Sequence, residues 1–192
     1  MPFETKPNTV DVVIRRTIDL SLVPPLDEDR ASSEDGIALN LAYVDVREWG
    51  IEDAELMVEH EREFLELLAS VGWTTDEAAE IIDELMSDGS ELFAFDPGIG
   101  AAVFSLAAAG ATPISSCNGG TIGQDRHADD VPNILIAGGP AMHIAAIKNA
   151  LAAADLGIIP NGEFAEIFAD DVLKFHTFAD RLVSELKSMA RE

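Results

Sequence analysis

The chain has 192 residues, of which 36 are acidic and 12 basic, giving a formal net charge of −24 at pH 7. A field of that sign repels phosphate backbones and anionic lipid surfaces, so it disfavours nucleic-acid and membrane partners. The single cysteine excludes an internal disulfide and a zinc site built of cysteines alone.

Hydrophobic residues make up 47% of the chain and aromatics 6%, which predicts an aliphatic, alanine-rich core of one-domain size. No apolar run approaches the ~20 residues that span a bilayer. The start, Met1 to Lys6, has no signal-peptide pattern, and the expected setting is the cytoplasm.

From Val12 the residues alternate, with Val12, Ile14, Ile18, Leu20 and Leu22 on one side, which predicts a half-buried strand. Pro24-Pro25 stops it, and an acidic loop follows from Leu26 to Gly36. Strand character returns over 37–46, so residues 10–46 are expected to form a strand hairpin at a sheet edge.

Residues 51–71 show helical spacing of Leu56, Phe64, Leu67, Leu68 and Val71, with glutamates between, and Gly72 ends the run. Thr74 and Glu77 match a capping box for a second helix over 75–87, with Ile81, Ile82 and Leu85 as its apolar face. Together 51–88 read as a helical hairpin inserted as a cap over the sheet. The Glu-rich face of residues 52–66 reads as a solvated helix face, and His60 and His176 as solvated or packing positions.

Residues 91–192 are expected to form the α/β core. Leu92–Phe95 reads as a short strand, and Asp96-Pro97 as an N-cap and first position of a small-residue helix running to about Ala109. Strands are predicted at Thr112–Ser115 and Asn133–Ala137, and a helix over 141–154. A hairpin of Ile158-Ile159 and Phe164–Phe168 turns at Pro160-Asn161-Gly162. A terminal helix covers 170–190. The sum is an α/β fold, a mixed sheet with flanking helices, its strand-end loops gathered on one ligand-binding edge.

The segment with most chemical promise is Ser115-Ser116-Cys117-Asn118-Gly119-Gly120, followed by Arg126 and His127. A thiol at a strand end beside His127 and Arg126 suits a nucleophile with its base or charge partner. Ser116, Asn118, Gly119 and Gly120 would supply amides for an anion-binding nest. Gly138-Gly139 before a helix is a second candidate cradle, with His143 in the following turn. The competing reading is a buried structural cysteine on a glycine turn. The spacing of Cys117, His127 and His143 matches no zinc signature, so no metal is expected, and no cofactor is named by any motif.

Asp96-Pro97-Gly98-Ile99, Gly110, Ser116-Cys117-x-Gly119-Gly120, His127 and Pro132 together resemble a pattern in uncharacterised bacterial and phage proteins. That likeness spans about 96–137 and implies that the strand, the turn and the histidine act as one module. Ser115-Ser116-Cys117-Asn118-Gly119 is also similar to the Ser-Ser-Cys-Ser-Gly-Arg signature of the third-step wybutosine-synthesis tRNA methyltransferase family. Gly120 replaces the arginine, and the tRNA and S-adenosylmethionine which that likeness implies sit badly with a charge of −24.

Two functions follow from these readings. One is a site for a small anionic ligand, or an enzymatic site, at the Cys117 turn, His127 and Gly138-Gly139. The other is an acidic accessory or inhibitory subunit that meets a basic protein partner.

Overall fold

A computed structural model describes residues 7–27, 45–87, 95–123, 129–139 and 141–191. It is an α/β structure, with an antiparallel four-stranded sheet of order β1-β2-β4-β3. The strands are β1 (Thr112–Cys117), β2 (Asn133–Ala137), β3 (Gly157–Asn161) and β4 (Phe164–Phe168). Among the described residues, parallel pairing enters only at two isolated bridges, Arg16 with Ile158 and Pro25 with Gly138.

The helices are α1 (Ile51–Val71), α2 (Asp76–Ser87), α3 (Gly100–Ala108), α4 (Ile144–Ala153) and α5 (Leu173–Met189). Gly100 to Ala107 of α3 are buried on every side, so this short helix is the centre of the molecule. It packs against α1, α5 and β1, and α4 packs on α5. Alanine at 101, 102 and 107 lets these neighbours approach closely. On the sheet, Ile134, Ile136, Ile158, Ala165 and Ile167 are buried on the core side. Leu135, Glu166 and Ile159 lie in one row of the opposite face, half-buried.

The expected strand at 12–22 is not a sheet member. Thr17 N–H donates to Ile158 O at 3.0 Å and Ile158 N–H to Arg15 O at 2.7 Å, so the segment only brushes the β3 edge. The period of two fails at Asp19, whose carboxylate accepts from Ser21 N–H and starts a 3-10 turn, Leu20–Leu22. Leu20 is therefore buried while Leu22 is 79% exposed. The proposed partner strand, 37–46, lies outside the described residues except for Asp45 and Val46, which belong to no strand.

Helices α1 and α2 match their predicted spans. Asp53 accepts from Gly50 N–H at 2.7 Å at the start of α1, and Gly72, at φ +94°, ends it. The cap of α2 is Thr75 rather than Thr74: Thr75 Oγ1 accepts from Ala78 N–H at 3.1 Å. Leu65 and Leu68 of α1 are fully buried against the interior, so α1 is a core helix and not an outer lid. The short strand read at 92–95 lies outside the described residues except Phe95, which meets the Phe104 ring edge-on at 5.6 Å. The β3–β4 hairpin forms as read, with Asn161 paired to Phe164 and Gly162 at φ +61° in the turn.

Candidate functional site

The C-terminal end of β1 and the N-terminal end of β2 meet at the Cys117–Asn133 pair. The turn after Cys117 docks on the segment leading into α3. Asn118 is fully buried; its backbone N–H donates to Asp96 Oδ2 at 3.0 Å and its Nδ2 to Pro97 O at 3.3 Å. Gly98, at φ +87°, packs against Ile122 and Val172. Gly119, at φ +68°, presses on Pro132, whose N would lie 2.7 Å from a Cβ there. The Asp96-Pro97-Gly98 turn, the Cys117 turn and Pro132 thus form one packed unit.

Asp96 was expected to cap α3. Its carboxylate instead accepts from Asn118, and residues 96–99 form a separate turn closed by Ile99 N–H to Asp96 O at 3.2 Å. The start of α3 is satisfied from elsewhere. Glu61 of α1, 1% exposed, accepts from Ala101 N–H at 3.2 Å through Oε1. Its Oε2 lies 3.3 Å from His176 Nδ1 on α5. A buried carboxylate at a helix N-terminus meets both the orphan amides and the positive end of the dipole. The sequence places Glu61 on a solvated face, and the structure corrects this: Glu61 is buried. The signal was present: Ala54, Met57, Val58, Phe64, Leu65 and Leu68 define a buried stripe, and Glu61 falls within it.

The geometry at Cys117 bears directly on nucleophilic chemistry. The residue is buried, its Sγ accepts from Gly119 N–H at 3.3 Å, and the thiol faces Asp129 O at 3.8 Å. Burial pushes the thiol pKa up, the nearby carboxylates of Asp96 and Asp129 add to the rise, and the Gly119 and Asp129 backbone contacts only partly offset it. A neutral, enclosed thiol is a poor nucleophile. Alkylation of native Cys117 at neutral pH is therefore expected to be far slower than in denaturant, as read by mass spectrometry over a time course. The sign of the linkage follows. The unfolded chain loses the thiol proton first, so this contribution to stability is present below the ordinary thiol range and is lost as pH rises through it towards the raised folded value. Cys117→Ala should remove that alkaline loss, as read from urea midpoints between neutral and alkaline pH.

The amides proposed as an anion nest are already engaged. Gly119 N–H donates to Cys117 Sγ, Gly120 N–H to Asn118 Oδ1 at 2.9 Å, and Thr121 N–H to Asn118 O at 3.4 Å. Ser116 is half-buried in β1. Arg126 and His127 lie outside the described residues.

The second cradle is at the other end of the sheet. Gly138 follows the C-terminus of β2 while Cys117 pairs with its N-terminus, a separation of about 16 Å along the strand. Antiparallel pairing is the cause, since it sends successive strand-end loops to opposite edges. Gly138 N–H donates to Pro24 O at 2.8 Å, and a Cβ on Gly139 would fall 1.7 Å from Gly110 O. These glycines serve chain crossings. His143, exposed, donates its backbone N–H to Ala109 O at the same end as Gly138, remote from Cys117. Among the described residues no three His, Cys, Asp or Glu side chains gather as metal ligands, and no helix is long and apolar enough to cross a membrane.

The most distinctive surface is the α1–α2 hairpin. Residues 51–87 hold twelve acidic residues and one basic residue, Arg62. All of the acids except Glu61 are exposed, including Glu52, Glu59, Glu63 and Glu66 on α1 and Glu77, Glu80, Asp83 and Glu84 on α2. Close to half of the net charge is thus carried by under a fifth of the chain. No protein-family model, curated protein or solved structure matches the chain.

Proposed function

We propose that this chain is an acidic interaction protein that meets a basic protein partner through the exposed face of the α1–α2 hairpin, in the cytoplasm. The observation that carries this reading is the charge asymmetry of residues 51–87, eleven exposed carboxylates against one arginine. Complementary charge steers encounter and favours a cationic surface over an anionic one. The seating of α1 in the core supports the reading, because its buried stripe leaves the carboxylates of Glu52, Glu59, Glu63 and Glu66 facing solvent. The competing reading, an enzymatic site on Cys117, draws less support from an enclosed, neutral thiol and from engaged turn amides.

The test uses a lysine-rich amphipathic peptide as the probe. Neutralising Glu59, Glu63 and Glu66 to Gln should weaken peptide binding about tenfold at low salt, from three exposed ion pairs of ~0.5 kcal/mol each. The same change of net charge made at Asp11, Glu48 and Asp130 should weaken it much less. Equal losses in both variants would reduce the effect to overall charge and remove the case for a docking face. The difference should shrink as salt rises towards 1 M.

A further inference from the structure

A groove of about 370 Å³ runs between α1 and α5. The two helices lie antiparallel, since Glu61 meets His176 while Glu55 meets Lys187 further along. The floor is Val58 and Val183, both buried. Its walls carry three carboxylates and three cations, a balance that contrasts with the 36 acids and 12 bases of the chain.

One of those pairs is made: Lys187 Nζ donates to Glu55. The other charges stay apart. Glu59, Arg62, Asp180 and Arg191 all line the groove, yet among the described residues none of the four makes a side-chain ion pair or hydrogen bond. The hydroxyls of Ser184 and Ser188 are uncommitted in the same sense. Opposite charges that share a concave wall ordinarily pair, and a guanidinium with carboxylates nearby does so most readily. Here both signs line the groove without pairing. The apolar floor strengthens whatever charge pairs form above it.

We propose that this groove binds a small zwitterion, a molecule carrying one ammonium and one carboxylate, of the amino-acid or short-peptide class. Glu59 and Asp180 take the ammonium, Arg62 and Arg191 offer the carboxylate its donors, and Ser184 and Ser188 supply further hydrogen bonds. A purely anionic ligand would meet Glu59 and Asp180, and a purely cationic one would meet the arginines, so the neutral balance of the walls selects a ligand with both. The volume suits such a molecule, being at the small end of the range for ligand sites. The site lies apart from Cys117 and shares Glu59 with the acidic face of the hairpin; the Arg62 and Arg191 variant below leaves the carboxylates of that face intact and so tests the groove alone.

The test is a titration of the uniformly labelled protein with the dipeptide Ala-Ala, followed by amide shifts. The free dipeptide is expected to move amides of residues 58–62 and 180–191. Its N-acetylated and C-amidated forms should each bind at least about tenfold more weakly, because each loses one charged partner. Arg62→Gln with Arg191→Gln should erase the preference for a free carboxylate, and Asp180→Asn with Glu59→Gln the preference for a free ammonium. These residues are exposed, so the variants should keep the wild-type spectrum elsewhere, which shows that they are folded. Absence of groove shifts at millimolar dipeptide would overturn the proposal, as would equal binding of the blocked forms.

Discussion

Glu61→Ala should destabilise the protein by about 2–6 kcal/mol, because it leaves two enclosed groups without their hydrogen-bond partner at about 1–3 kcal/mol each. The change strips the acceptor from Ala101 N–H at the start of α3 and from His176 on α5 at the same time. Both groups are enclosed, and neither is well placed for water to take over: His176 is 8% exposed and Ala101 is fully buried. Three helices meet at this one carboxylate, and α3 packs against α1, α5 and β1. A urea titration should show the midpoint falling with an unchanged slope. Glu61→Gln keeps a carbonyl acceptor for Ala101 and should cost clearly less. In a double-mutant cycle with His176→Ala, the two single losses should fail to add, because they remove the same contact. Full additivity would mean that Glu61 and His176 act separately. Had Glu61 been a solvated residue of the acidic face, the loss would stay within about 0.5 kcal/mol.

Gly139→Ala should be as damaging by a different route. An added Cβ would sit 1.7 Å from Gly110 O and 2.9 Å from its carbonyl carbon, and both are backbone atoms that cannot rotate away. Gly110 is itself held at φ +80° by the close of α3, where its N–H donates to Ala107 O. Relief would require moving the end of α3 away from the end of β2. A loss of at least about 3 kcal/mol is expected, at the upper end of overpacking costs. Gly162→Ala is the matched control. It lies in the β3–β4 turn at φ +61° with nothing within 4 Å, so only its backbone conformation is strained. That cost should be about 1 kcal/mol. Similar thermal shifts for the two variants would mean that the Gly110–Gly139 crossing can open without penalty.

Much of the fold was legible where the pattern was long and local. The spans of the two hairpin helices were legible, although Leu56 and Leu67, expected on the apolar face of α1, are exposed, and the β3–β4 hairpin carries its own turn residues. The N-terminal strand misled because alternation from Val12 to Leu22 also suits extended chain lying beside a sheet, and the Asp19 cap breaks the pattern only locally. The Asp96 cap misled for a related reason. Asp-Pro does open the approach to α3, but the buried Asn118 amide captures the carboxylate first. Cys117 and Gly138-Gly139 do not share an edge, and strand direction, which decides that, is invisible in a single strand. With β2 antiparallel to β1, Cys117 and Gly138-Gly139 are carried to opposite ends. Glu61 was hidden in plain composition: it is one glutamate among many on α1, told apart only by its place among Met57, Val58, Phe64 and Leu65.

Docking of a basic partner on the hairpin is tested most directly by zero-length carbodiimide cross-linking to the lysine-rich peptide, with the linked carboxylates mapped by mass spectrometry. Partner docking through the hairpin predicts links concentrated at Glu52, Glu59, Glu63, Glu66 and the exposed acids of α2, and their loss in the variant neutralised at residues 59, 63 and 66. Links spread evenly over the acidic residues of the whole chain, or gathered around Asp96, Asp129 and Asp130 beside the Cys117 turn, would contradict it.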